Sequence, residues 1–190
     1  WGALKCGVVP IPLNTLLATS VYDAILRDAR VSILFVSAPL WDVVKGAVEG
    51  NPYLRHIVVI GGATDGTTDY NDFIDGAVAK DTLPVSPDEV AFWLYSSGST
   101  GQPKGVAHVH SALRATSDTY GKQVLEIEED DVVFSAAKFF FAYGLGNAMT
   151  FPLSVGATTL LFGGRPTPDE MVKTLTAERP TIFCGVPTLY

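Results

Sequence analysis

Six short apolar runs recur along the chain, and most of the stretches between them carry helical patterning. The runs are 31–36 (VSILFV), 56–60 (HIVVI), 90–95 (VAFWLY), 131–135 (DVVFS), 157–162 (ATTLLF) and 181–184 (TIFC). They are apolar almost throughout rather than alternating, which is the mark of strands buried on both faces. Between them, Tyr22, Ile25, Leu26 and Ala29 share one helical face behind an S-x-x-D box at Ser20–Asp23. Leu40, Val43, Val44, Ala47 and Val48 pattern a second helix. Thr167 at a cap, Pro168 in the first turn and Glu170 closing the box start another, with Met171, Val172 and Leu175 as its apolar stripe. Helices are also expected at 111–122 and 143–154, a short one near Tyr70–Ile74, and a return strand at Val106–Val109. Continuous apolar strands spaced by helices imply an α/β fold, with mainly parallel sheet layers covered by helices. Residues 61–88, rich in Gly, Thr, Asp and Pro, are the softest place for a domain boundary.

Charge narrows the partners. The 190 residues carry 13 Lys+Arg against 20 Asp+Glu, a net −7, with no basic run. Such a chain is a poor non-specific binder of nucleic acid or of an anionic membrane. No apolar run is long enough to span a bilayer. Hydrophobic residues are 47% of the chain and charged residues 17%, as in a folded domain with a sizeable core. Cys6 and Cys184 stand far apart, which excludes a disulfide framework or zinc ribbon and fits a reducing cytoplasm. The chain opens at Trp1 inside an already patterned apolar segment and stops at Tyr190 directly after a strand. It is therefore expected to be an internal piece of a longer protein.

One segment has chemistry of its own: Tyr95-Ser96-Ser97-Gly98-Ser99-Thr100-Gly101-Gln102-Pro103-Lys104-Gly105. Its glycines permit backbone conformations that turn N–H groups toward an anion. The hydroxyls of Ser96, Ser97, Ser99 and Thr100 add donors, and Lys104 adds one cation. That set suits a polyphosphate, and a hydroxyl such as that of Thr100 suits Mg²⁺ beside it. The Walker A pattern needs Ser or Thr after its lysine, and Gly105 stands there instead. The segment is thus a phosphate loop of another kind, or a Ser/Gly surface turn.

A second segment, 137–152 (AKFFFAYGLGNAMTFP), packs Phe139, Phe140, Phe141, Tyr143 and Phe151 into thirteen residues. On a helix, Tyr143, Asn147 and Phe151 would fall on one side. Such rings could line a planar acid or simply fill a core. Gly144-x-Gly146 says little by itself. His108 and His110 share a strand face but lack a third ligand, and His110 suits the start of the next helix. The acidic run Glu126, Glu128, Glu129, Asp130 and Asp131 reads as a solvated turn, and Cys184 as a core residue.

YSSGSTGQPKGV resembles the signature loop of the adenylate-forming superfamily. FFFAYGLGNAMTFPLSVGAT, LKCGVVPIPLNTLL and TIFCGVPTLY resemble segments of its benzoate–CoA ligase group, so the likeness runs the whole length. The resemblance implies part of a large N-terminal adenylation domain over 1–190, with a small C-terminal domain beyond it. It implies that ATP phosphates are held by Ser96, Ser97, Gly98, Ser99, Thr100, Gly101 and Lys104, with Mg²⁺ at Thr100. It also implies an aromatic acid ring lined by Ala142, Tyr143 and Phe151. Phe141 stands where many relatives have His, and its apolar ring favours an unadorned aromatic acid over a hydroxylated one. The expected reaction joins benzoate to coenzyme A through an acyl-adenylate, releasing AMP and pyrophosphate, with Lys104 orienting the leaving group. The Tyr-Gly-x-Thr-Glu segment, the ribose-binding Asp and the C-terminal Lys of the family are absent from the 190 residues, so inactivity alone is expected. The alternatives are a ligase for another aryl acid such as hydroxybenzoate, a Walker-type kinase or ATPase that the loop speaks against, and a non-catalytic nucleotide-binding module.

Overall fold

The computed structural model describes residues 1–97 and 102–189. In chain order the elements are α1 (Gly2–Lys5), α2 (Thr19–Asp28), β1 (Ile33–Ser37), α3 (Trp41–Val48), β2 (His56–Ile60), β3 (Thr68–Asp69), α4 (Tyr70–Ile74), β4 (Val90–Ser97), β5 (Pro103–Val109), α5 (His110–Thr116), β6 (Val132–Ser135), α6 (Ala142–Leu145), α7 (Phe151–Val155), β7 (Thr158–Leu160), α8 (Pro168–Glu178) and β8 (Ile182–Cys184). Two π-helical turns, Ser117–Gly121 and Gly146–Thr150, continue α5 and α6. No helix among the described residues is long and apolar enough to cross a membrane.

The chain divides into two compact units. One comprises Asn14–Thr82 and Tyr95–Val106, the other Trp1–Leu13, Leu83–Leu94 and Ala107–Tyr190. The crossing at Thr82–Leu83 falls within the loop-like stretch 61–88.

In the first unit, β1, β2 and β3 form a parallel sheet in that order, with Ile33 opposite His56 and Val58 opposite Thr68. Val58 and Val59 are fully buried, and Tyr22, Ile25 and Leu26 on α2 and Val44 and Ala47 on α3 are buried, whereas Val43 of the expected stripe is exposed and Ala29, Leu40 and Val48 are half-buried. The start of α2 differs from the sequence reading. Ala18 occupies the N-cap without a side-chain bond, so no box forms at Ser20. The Thr19 hydroxyl is drawn instead to the Val43 carbonyl at 2.8 Å, and Asp23 pairs with Arg27 at 2.7 Å. β3 was not expected. Its Asp69 also caps α4, accepting from the Asn71 N–H at 2.8 Å.

In the second unit the parallel order is β7-β6-β8, with Val132 opposite Thr158 and Val133 opposite Ile182. The central strand holds the core, since Val133 and Phe134 are completely buried. The Phe134 ring meets Phe183 of β8 at 5.4 Å and Phe162, just past β7, at 6.4 Å. α8 starts as its local signals direct, with the Thr167 hydroxyl accepting from the Glu170 N–H at 3.4 Å and Pro168 in the first turn.

The helix expected over 143–154 is interrupted by its π turn, which adds a residue to the turn. Tyr143, Asn147 and Phe151 therefore do not share one face: Tyr143 is 45% exposed, Asn147 3% and Phe151 7%. The Phe151 side chain lies against Gly146 and Gly121, one from each π turn, so close that a Cβ would sit 2.7 Å from the ring at Gly146 and 3.1 Å from the Phe151 Cβ at Gly121.

Asp131 belongs to a tie at the amino edge of this sheet. Its carboxylate accepts from the Glu128 N–H at 2.8 Å and from the Thr181 hydroxyl at 2.6 Å. The backbone donor first, then the hydroxyl, hold its pKa below the ordinary carboxylate value. A carboxyl held low in the fold binds fewer protons there than in the unfolded chain. Its stabilising contribution is therefore complete above the ordinary carboxylate range, about pH 4, and is lost as pH falls through the lowered native value. Asp131→Asn is expected to flatten the acid limb of a plot of melting temperature against pH. An unchanged acid limb would count against the tie.

Candidate functional site

β4 and β5 pair as a two-stranded sheet, and the phosphate-loop segment connects them. Gly98, Ser99, Thr100 and Gly101 lie outside the described residues. Of the rest, Ser96 is exposed near the end of β4, Ser97 closes that strand, and Lys104 is exposed at the second position of β5. The start of the segment is anchored. The Tyr95 hydroxyl donates to the Asp28 carboxylate at the end of α2, at 2.5 Å. Burial, and then this carboxylate, push the phenol well above its ordinary pKa, so it remains a protonated donor. His108 is accounted for by packing: its ring stacks on Phe92 at 4.8 Å and 7°. His110 opens α5, as expected.

The second group of residues follows from sheet topology. In open parallel sheets, ligands bind beyond the carboxyl ends of strands, where neighbouring strands lead their chains to opposite sides. β6 leads to β7 on one side, while β8 lies on its other side, so that point falls between β6 and β8. Phe141, Ala142 and Tyr143 follow β6 there and are all exposed. The Tyr143 hydroxyl donates to the Gly185 carbonyl, just past β8, at 3.1 Å. Phe141 leans on Phe140 at 4.6 Å, and Phe139 packs against the core of Leu4, Ala91, Phe92, Leu94 and Leu145. Phe151 is not brought to this surface. It sits in the core with Ile127, Val133 and Ala157. Cys184 is buried on β8 with its thiol pushed up by burial, as befits a core residue.

Three residues here escaped the sequence reading of the site. Gly144 has no room for a side chain, because a Cβ would stand 2.2 Å from the Lys138 carbonyl oxygen and 2.6 Å from that of Ala137. Lys138 donates to the carbonyls of Phe162 and Gly164. Asn147, 97% buried, donates to the Tyr143 carbonyl at 3.0 Å, and its Oδ1 has no partner among the described residues. The G-x-G pair was the signal for Gly144 and the spacing by four with Tyr143 that for Asn147, while nothing in the sequence marked Lys138. An open cleft of about 580 Å³ lies elsewhere, lined by Trp41, Lys45, Ile57 and Thr67 among others, and includes none of the site residues.

Comparison with known proteins gives the family of the chain. The AMP-binding enzyme family model matches residues 1–190. The benzoate–CoA ligase of Thauera aromatica is 48% identical over 189 residues, covering 100% of this chain and 36% of that protein. A benzoate CoA ligase from Burkholderia xenovorans LB400 superposes with a TM-score of 0.88 at 43% identity, covering 100% of this chain and 37% of that one. An anthranilate CoA ligase in complex with anthranoyl-AMP superposes with a TM-score of 0.87 at 36% identity, covering 96% and 36%. The chain thus spans little more than a third of these relatives' length. With the family model matched along its whole length, the chain belongs to the AMP-binding enzyme family.

Proposed function

We propose that the chain forms part of the large N-terminal domain of a cytoplasmic ligase that joins benzoate to coenzyme A at the expense of ATP. The carrying observation is the exposed Phe141–Ala142–Tyr143 surface at the carboxyl ends of β6 and β8, in a chain that also bears the phosphate loop. In the first half-reaction the acid's carboxylate oxygen attacks the α-phosphorus of ATP and pyrophosphate leaves, giving benzoyl-adenylate. In the second, the thiol of coenzyme A displaces AMP. Ser96–Gly101 supply donors to the β- and γ-phosphates, and Lys104 balances charge on the departing pyrophosphate. Mg²⁺ accompanies the phosphates, with Thr100 as its expected protein hydroxyl. Among the described residues no group of three His, Cys, Asp or Glu is placed to hold a metal ion. Ala142 and Tyr143 line the acid's ring, and Phe141 offers it an apolar edge. Phe151, packed in the core with Ile127, Val133 and Ala157, does not line the ring.

The test is ATP–pyrophosphate exchange by the complete enzyme with benzoate, hydroxybenzoates, a cinnamate and acetate. Benzoate should give the highest kcat/KM, with hydroxybenzoates rejected only weakly, because an apolar pocket discriminates poorly against an added hydroxyl. Exchange with acetate and none with aryl acids would refute the substrate, and ADP as the product would refute adenylation.

A further inference from the structure

We propose that Lys138 is a positioning residue for the aromatic acid, fastening the turn that carries Phe139–Phe141 to the loop after β7. The proposal rests on the aryl-acid reading above. The Lys138 ammonium donates to two backbone carbonyls of that loop, Phe162 and, at 2.8 Å, Gly164. It also stands 5.1 Å from the centre of the Phe162 ring. That ring meets Phe134, which is completely buried at the centre of the sheet. The ammonium is thus held by carbonyl dipoles and a ring face, and its donors are directed into the fold. Burial lowers its pKa, as expected for a cation drawn in from water.

The other end of the segment is tied the opposite way, through the Tyr143 hydroxyl to Gly185 after β8. Residues 138–143 are therefore held at both ends, to the loops of the two strands that flank β6. Phe141 and Ala142 are exposed between the two ties. Exposed rings keep a fixed orientation only if the backbone beneath them is fixed, and displacement of a positioning surface by about 1 Å is enough to weaken productive binding. Lys138 supplies the tie on the β7 side through two backbone carbonyls and the Phe162 ring. Its role is indirect, since it touches the turn and the loop rather than the acid.

The experiment compares Lys138→Met, which keeps the apolar stem, Lys138→Arg, which keeps charge and donors, and Lys138→Gln, all in the complete ligase. In Lys138→Met, amides of 138–143 and 161–164 should exchange hydrogen on the order of tenfold faster, while 56–60 are unchanged. The KM for the aryl acid should rise on the order of tenfold, the effect of losing a charge-assisted tie, with the KM for ATP within about twofold. Lys138→Arg should restore both readouts in large part. Lys138→Gln should fall between and replaces Lys138→Met if the latter does not fold. Unchanged exchange at 138–143 overturns the fastening. Faster exchange with an unchanged acid KM, or equal rises in both KM values, overturns the positioning role. A wild-type enzyme that activates no aryl acid defeats the substrate reading, and hydrogen exchange still decides whether Lys138 fastens the turn.

Discussion

Lys104→Met is expected to slow ATP–pyrophosphate exchange by the complete enzyme on the order of 10²-fold, as does loss of a single donor to developing negative charge in other enzymes. The residue is exposed at the second position of β5, and its side chain makes no ion pair or hydrogen bond among the described residues. Exposed substitutions of this kind change stability by no more than about 0.5 kcal/mol. Activity and folding should therefore separate cleanly: a melting temperature close to wild type, a nearly unchanged KM for the acid, and a collapse in kcat. Lys104→Arg keeps the charge but spreads it over a planar fork and should recover only part of the rate. An unaffected exchange rate would remove Lys104 from the chemistry and leave the loop as a plain turn.

The second large effect is structural. In Gly144→Ala, the new Cβ would face backbone oxygens at 2.2 and 2.6 Å, neither of which belongs to a movable side chain. Either the turn 137–141 or helix α6 must shift. Overpacking of this severity costs about 3 kcal/mol or more, a fall in melting temperature of roughly 6–12 °C for a domain of this size. The shift acts directly under Tyr143, so aryl-acid binding should suffer as well. Gly163→Ala is the matched control. A Cβ there meets nothing within 4 Å, and the change should be close to neutral. Equal melting temperatures for the two variants would show that the turn yields freely.

The elements legible in the sequence are those whose signals are local. α8 begins where Thr167 and Pro168 say it should, and α4 spans Tyr70–Ile74 as expected, with its cap one residue upstream. The parallel sheets follow from the short, continuous apolar runs spaced by helices. Long-range demands override the rest. The box at Ser20 looks complete in sequence, yet the neighbouring Thr19 hydroxyl is claimed by a carbonyl 24 residues away and the helix begins earlier. The spacing of Tyr143, Asn147 and Phe151 by four satisfies an α-helix, and only the packing of Phe151 on two glycines reveals a π turn. β3, two residues long, is too short to show any period. Within the candidate site, resemblance alone pointed to Ala142 and Tyr143, and the structure places both on the exposed surface after β6. Lys138 was not, because its partners are backbone carbonyls, which every residue has.

The Phe151 ring, held between Gly121 and Gly146, ties the fates of three positions that are far from neighbours in sequence. A methyl group at Gly146 would stand 2.7 Å from the phenyl ring and force it to move, while one at Gly121 would meet the Phe151 side chain at 3.1 Å and crowd it less. A smaller side chain at 151 would free that space and leave a void unless one glycine grew in compensation. These positions should therefore change together across homologues, as a correlated triplet rather than as independent sites. Anyone reshaping the acid-binding surface by single substitutions will find this corner unresponsive, whereas paired exchanges, one ring smaller and one glycine larger, open routes that neither change allows alone.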